Sequence, residues 1–164
     1  NIGPAGVTLV VVRKDLLGRE TPTTPNVLNW KKMTDAGSML NTPTTYSIYM
    51  AGLCLKWLRE KGGVAAMEKI NIEKAKRIYG FLDESRLFKG VAEKPWRSRM
   101  NVTFRSGDEA LDDAFVKEAA KAGLINLKGH RSVGGMRASI YNAMPEEGVE
   151  ALVDFMKRFE AGRA

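Results

Sequence analysis

The hydrophobic pattern of the chain changes period several times. Residues 7–12, Val-Thr-Leu-Val-Val-Val, form a nearly unbroken apolar run rich in β-branched residues, closed by Arg13-Lys14-Asp15. Such a run predicts a strand buried on both faces. Gly3-Pro4-Ala5-Gly6 ahead of it is a turn, because Gly supplies unusual dihedrals and Pro fixes its own. Pro22, Pro25 and Pro43 lie among Thr, Asn and Gly over residues 18–45, which predicts a mostly extended loop. A loop of that length in a compact protein is usually functional. From Thr44 or Thr45 the spacing of Tyr46, Met50, Leu53 and Trp57 is helical, and Gly62-Gly63 ends or bends that helix. A second helical stripe follows: Val64, Met67, Ile70, Ala75, Ile78 and Leu82.

Beyond Ser85-Arg86 the elements shorten. Met100, Val102 and Phe104 alternate with Asn101, Thr103 and Arg105, the period-two pattern of a half-buried strand. Residues 108–121 predict a helix with acids in its first turn and Lys117 and Lys121 late, as the helix dipole favours, and Gly123 stops it. Residues 124–127 predict a short strand. Met136, Ala138 and Ile140 alternate with Arg137, Ser139 and Tyr141 and predict another. A last helix starts at Pro145 and turns Val149, Leu152, Val153, Met156 and Phe159 inward. The order from residue 64 is helix, strands, helix, strands, helix, a small α+β unit. The domain boundary is expected near Gly62-Gly63.

Composition narrows the function classes. A hydrophobic fraction of 44% over 164 residues is that of a folded chain. No apolar run approaches a membrane span and no targeting segment is visible, so a soluble, cytoplasmic protein with no membrane partner is expected. Asn1 opens straight into a turn, which suggests a sequence that starts inside a longer polypeptide. One cysteine, Cys54, excludes an internal disulfide, and one histidine leaves little scope for a metal site. The net charge of +7 raises nucleic acid as a partner. The excess sits mostly in residues 56–99, with 12 basic and 6 acidic groups, where acids interrupt it as on a solvated helix face. No exposed aromatics of the kind that stack on bases are expected to interleave with it.

Two segments carry candidate chemistry. Residues 129–137, Gly-His-Arg-Ser-Val-Gly-Gly-Met-Arg, place His130, Arg131 and Arg137 among glycines that let a loop approach a ligand closely. Guanidinium forks and an imidazole suit a compound bearing both phosphate and carboxylate. On residue types alone, a surface hairpin with scattered charge is the better reading. Asn41-Thr42, just ahead of a helix, offers an amide and a hydroxyl near free backbone N–H groups, a natural phosphate site. Locally, helix capping is the better reading there too.

Longer motifs change that balance. Asn-Ile-Gly-Pro-Ala-Gly-Val at 1–7, Leu-Asn-Thr-Pro-Thr-Thr at 40–45, Lys-Gly-His-Arg at 128–131 and Val-Gly-Gly-Met-Arg-Ala-Ser-Ile-Tyr-Asn-Ala-Met-Pro at 133–145 resemble the phosphoserine aminotransferases, from Asn1 to the final helix. The resemblance implies a fold-type I, pyridoxal-phosphate (PLP) aminotransferase of the α/β class. Residues 1–63 would finish its PLP-binding large domain, and residues 64–164 would form its small α+β C-terminal domain. It implies a lysine that holds PLP one position ahead of Asn1, outside this numbering, so that no catalytic residue falls within the sequence. It implies a homodimer whose active sites are shared, with Asn41 and Thr42 reaching the PLP phosphate across the interface. His130 and Arg131 would hold the substrate's phosphate in the neighbouring site, and Arg137 its α-carboxylate. The implied reaction converts L-glutamate and 3-phosphohydroxypyruvate into 2-oxoglutarate and O-phospho-L-serine, in serine biosynthesis. A related PLP aminotransferase with another anionic substrate is the alternative, and a basic nucleic-acid module a more distant one.

Overall fold

A computed structural model describes residues 2–163, which divide into two compact units, 2–57 and 58–163. In the first unit, residues 7–12 belong to no helix or strand, and Val11 is fully exposed. This corrects the expectation of a doubly buried strand. A strand is defined by its pairing, and the described residues of this unit offer these backbone groups no second strand. The 18–45 segment is less irregular than its prolines suggest. It carries a 3-10 turn at Asn26–Leu28 and a six-residue helix, α1 (Trp30–Asp35), whose first turn is capped by Asn29 Oδ1 accepting from Lys32 N.

Helix α2 (Thr45–Glu60) starts where its spacing predicts. Thr44 carries the helix start: its carbonyl accepts from Ile48 N at 3.0 Å and its hydroxyl donates to Ser47 Oγ at 3.1 Å. Ser47 in turn donates to Ala5 O at 3.3 Å, which ties the Gly3–Gly6 turn to the first turn of α2. Gly6 is required there, since a Cβ would lie 2.6 Å from Ser47 Oγ and its φ is +126°. Cys54 is half-buried rather than fully enclosed.

In the second unit, α3 (Gly63–Glu84) begins at a pair of glycines with φ of 93° and 77°, a left-handed break that other residues resist. Its buried stripe is Met67, Asn71, Lys74, Ala75, Ile78, Tyr79 and Leu82. Val64, expected on that stripe, is exposed. A short strand β1 (Lys89–Gly90) pairs antiparallel with β2 (Asn101–Arg105), which pairs antiparallel with β3 (Met136–Ser139). Between the last two runs α4 (Glu109–Lys121), capped by Asp108 accepting from Ala110 N and Leu111 N. Residues 124–127 form no strand. The chain there makes a single bridge, Lys128 to Met136, because Asn126 turns left-handed (φ 61°) and interrupts the extended run.

Helix α5 (Glu146–Ala161) buries Val149, Leu152, Val153, Met156 and Phe159, as its pattern predicts. These side chains close one core with Ile78, Leu82, Val102, Met136 and Ala138. Phe88 is its hub, with ring centroids 5.1 Å from Phe115 and 5.9 Å from both Phe104 and Phe159. Edge-on contacts of this kind add to the area such rings bury. The sheet therefore has one face sealed by helices, and β3 carries Arg137 and Ser139 at the alternate positions.

Candidate active site

The core face of β3 fixes the direction of Arg137. Met136 and Ala138 are buried, so the intervening side chain leaves on the opposite face, level with Thr103 of β2. Arg137 is half-buried and lines a cleft of about 760 Å³ together with Lys128, Ser139 and Tyr141 and an apolar wall that includes Ile125 and Met144. Its Nε is buried without a hydrogen-bond partner, and its guanidinium enters no ion pair with a described residue. A partly desolvated charge without a counter-ion is costly, and an anion in the cleft would relieve it. The neighbouring polar groups are fixed: Ser139 Oγ and Tyr141 Oη both reach Asn101 Oδ1, at 3.2 and 3.1 Å.

His130 and Arg131 stand exposed at the tip of the hairpin that leads into β3. The tip is a tight turn in which His130 O accepts from both Val133 N and Gly134 N at 2.8 Å. Gly129 N donates to Gly135 O at 2.8 Å, and Arg105 donates to Val133 O at 2.7 Å. Glycine is obligatory at two of these places. A Cβ on Gly129 would collide with the carbonyl oxygen of Gly134, and one on Gly135, whose φ is +64°, would lie 2.8 Å from Phe104 O. His130 Nδ1 lies 2.7 Å from Ser132 Oγ and accepts from Ser132 N at 3.3 Å. That leaves Nε2 as the outward ring nitrogen, a donor in this tautomer. The hairpin thus holds two cationic or donor side chains forward of the strand that carries the third.

Asn41 and Thr42 lie in the first unit, away from these three in sequence. They line a second cleft of about 720 Å³ with Gly6, Thr8, Ser38 and Thr44. Neither side chain caps α2 or is hydrogen-bonded to another described residue, and the hydroxyl nearest the helix start, that of Thr44, goes to Ser47 Oγ. An uncommitted amide and hydroxyl beside a helix start suit the oxygens of a phosphate. Among the described residues no group of His, Cys, Asp or Glu could hold a metal ion.

Lys128, Ser139 and Tyr141 escaped the sequence reading as cleft residues. The signal for Ser139 and Tyr141 was the outward half of the β3 alternation, which continues past the strand end to residue 141; Lys128 comes to the cleft through its bridge to Met136. Arg97 and Arg99, just ahead of β2, are committed elsewhere. Arg97 pairs with Asp83 at 2.5 Å and covers the Tyr79 ring at 4.5 Å, and Arg99 pairs with Glu68 at 2.9 Å.

Comparisons with known proteins place the chain in a family. Residues 1–152 match the aminotransferase class-V model. A phosphoserine aminotransferase of Ralstonia nicotianae is 56% identical over 160 residues, covering 98% of this chain and 42% of that protein. The solved phosphoserine aminotransferase of Bacillus circulans subsp. alkalophilus superposes with a TM-score of 0.94 at 44% identity, covering 100% of this chain and 46% of the other. A PLP-bound phosphoserine aminotransferase from Trichomonas vaginalis gives 0.82 at 43% identity, covering 89% of this chain and 42% of its own. The chain thus spans less than half the length of the relatives it matches. It belongs to the class-V aminotransferase family.

Proposed function

We propose that this chain supplies the substrate-binding half of a PLP-dependent phosphoserine aminotransferase, exchanging the amino group of L-glutamate with 3-phosphohydroxypyruvate. The observation that carries this reading is the half-buried, unpaired guanidinium of Arg137 at the edge of a cleft, with His130 and Arg131 held ahead of it. The names of its relatives support the same reaction.

The assigned roles follow from donor geometry. Arg137 takes the α-carboxylate common to both amino acids through its planar fork, which a carboxylate matches with two parallel bonds. His130 and Arg131 take the distal anion, a phosphate in one half-reaction and the γ-carboxylate of glutamate in the other. Asn41 and Thr42 hold the cofactor's phosphate, for which their free amide and hydroxyl are fitted. When bound, PLP supplies the electron sink that makes the α-proton of an amino acid removable. The apolar wall of the Arg137 cleft keeps water from the charged contacts, which strengthens each of them.

Residues 1–63 then finish the cofactor-binding domain, and residues 64–164 form the small domain. The working form is a cytoplasmic homodimer in which Asn41 and Thr42, like His130 and Arg131, reach across the interface to the neighbouring site. The exposed apolar side chains of Leu9, Val10, Val11, Tyr46 and Tyr49 support a covering by further protein surface. No helix among the described residues is long and apolar enough to cross a membrane.

A substrate panel on the purified, cofactor-loaded enzyme tests the proposal. Efficient transamination of 3-phosphohydroxypyruvate with glutamate, and poor use of hydroxypyruvate, is the expected result. Equal use of both keto acids would instead indicate an aminotransferase for another anionic substrate.

A further inference from the structure

Lys74 sits in the middle of the buried stripe of α3, where an apolar residue would be ordinary, and its side chain is wholly enclosed. Its Nζ donates to Tyr141 O at 2.8 Å, Met144 O at 3.0 Å and Ile140 O at 3.4 Å. An ammonium has three donors, and here all three are used on carbonyls. One turn earlier Asn71, also buried, donates from Nδ2 to Asn142 Oδ1 at 2.8 Å. Two side chains of one helix therefore grip four of the five residues 140–144, the connection from β3 to α5.

That connection borders the cleft. Ile140, Tyr141 and Met144 line it with Arg137, which lies on β3 three residues before Ile140. On its other side the connection is fastened to β2 and its approach, by Ile140 N donating to Met100 O at 2.8 Å and Tyr141 Oη to Asn101. Burying an ammonium costs several kcal/mol, so filling space does not explain it. No carboxylate among the described residues bonds to Lys74. Glu146, whose charge favours the ammonium against burial, is itself paired with Arg77 at 2.8 Å. What the ammonium gains is the three carbonyls: Tyr141 O also accepts from Met144 N at 2.9 Å, but Ile140 O and Met144 O meet no backbone donor among the described residues.

We infer that Asn71 and Lys74 are positioning residues, a two-point clamp from α3 that fixes residues 140–144 and thereby the anion-binding edge formed by Arg137 and Tyr141. The inference rests on the reading of Arg137 as a carboxylate site. It predicts that loosening the clamp affects substrate binding more than turnover.

The test uses the cofactor-loaded enzyme with Lys74→Met and, separately, Asn71→Ala, which removes one hydrogen bond and remains available should the first variant not fold. Two quantities are read: amide hydrogen exchange at residues 140–144, and the kinetics of each half-reaction. Exchange there should speed up about tenfold, the equivalent of losing one buried hydrogen bond. KM for glutamate and for phosphoserine should rise together by roughly fivefold or more, with kcat within about twofold, as expected when ground-state and transition-state binding are lost equally. A purely structural role would lower the melting temperature and leave KM unchanged. Unchanged exchange overturns the clamp, and faster exchange with unchanged KM overturns its positioning role. Failure of the unsubstituted enzyme to transaminate phosphoserine sinks the functional reading instead, and the exchange arm then decides the clamp alone.

Discussion

Arg137 stands directly opposite Thr103 in the antiparallel ladder of β2 and β3, flanked by the buried pairs Val102–Ala138 and Phe104–Met136. The register leaves the guanidinium no route into the core and no acid to pair with on its own face. Replacing Arg137 by Lys keeps the charge and discards the fork. KM for both amino acids should rise by roughly tenfold or more, because a charged hydrogen bond contributes about 1.5–3 kcal/mol. The fold should hold, since the buried neighbours on either side are untouched. Half-reaction kinetics beside a thermal melt check both statements.

His130 and Arg131 predict a different signature. On the proposed reading they meet the end of the substrate that differs between the two half-reactions. His130→Ala or Arg131→Ala should weaken phosphoserine more than glutamate, since a dianion draws more from each donor than a carboxylate does. Half-reaction constants with each amino acid decide it, and equal losses would remove the proposed division between proximal and distal anion sites.

The hairpin's glycines allow a test that needs no substrate. Gly135→Ala forces a side chain into a left-handed residue and against Phe104 O. The cost should be about 1–3 kcal/mol, typical of a non-glycine residue held in a disfavoured region. Equilibrium urea unfolding measures it. Gly123→Ala is the control, because its φ is also positive (84°) but nothing crowds the position, so it should cost less.

The sequence announced the second unit far better than the first. Helices α4 and α5 were legible in full because their signals are local: Asp108 as a cap, Gly123 as a stop, and a stripe from Val149 to Phe159. The 7–12 run misled because its composition specifies burial, while pairing depends on other chain segments. Asn126 hid the break in the 124–127 run, since Asn tolerates left-handed backbone without advertising it. At the candidate site the cations stood out by type, and the alternation placed Arg137 on the outward face. Lys74 did not stand out, because a lysine within a helical stripe reads as solvated until its carbonyl partners, nearly seventy residues away, are brought to it.

Asp83 ties α3 to the approach to β2 through Arg97, and the pair sets one acid limit on stability. Hydrogen bonding from Arg97, reinforced by its charge and that of Lys94 against some cost of burial, lowers the Asp83 pKa to about 2. A depressed carboxylate pKa contributes stability that is complete above the unfolded value and lost as pH falls through the folded one. The window here runs from about pH 4 down to about pH 2. Asp83→Asn should cost about 1 kcal/mol at neutral pH, an amount discounted for the partly exposed carboxylate. The gap between variant and parent should close towards pH 2, as followed by denaturant unfolding at a series of pH values.

Glu160 offers the last prediction, because one carboxylate there organises a whole chain reversal. Its Oε2 accepts from Ser85 Oγ at 2.8 Å, and its Oε1 from Arg86 N at 2.7 Å and Leu87 N at 3.2 Å. Ser85 Oγ also accepts from Phe88 N at 2.7 Å, so the network ends at the aromatic hub of the core. Burial acts to raise the Glu160 pKa, but the Ser85 hydroxyl, the two backbone N–H groups and the Arg86 charge outweigh it and hold the pKa below the ordinary value. The stabilisation is therefore present at neutral pH and disappears on acidification through that lowered pKa. Glu160→Ala leaves two backbone donors without their acceptor and should cost about 2 kcal/mol, as for loss of a helix cap. Glu160→Gln keeps one acceptor oxygen for the two backbone N–H groups and loses the charge and the second acceptor, so it should cost roughly half as much and flatten the acid dependence. Denaturant unfolding of the two variants at neutral and acid pH separates these contributions, and equal stability of parent and Glu160→Ala at neutral pH would show that the reversal at residues 85–88 holds itself.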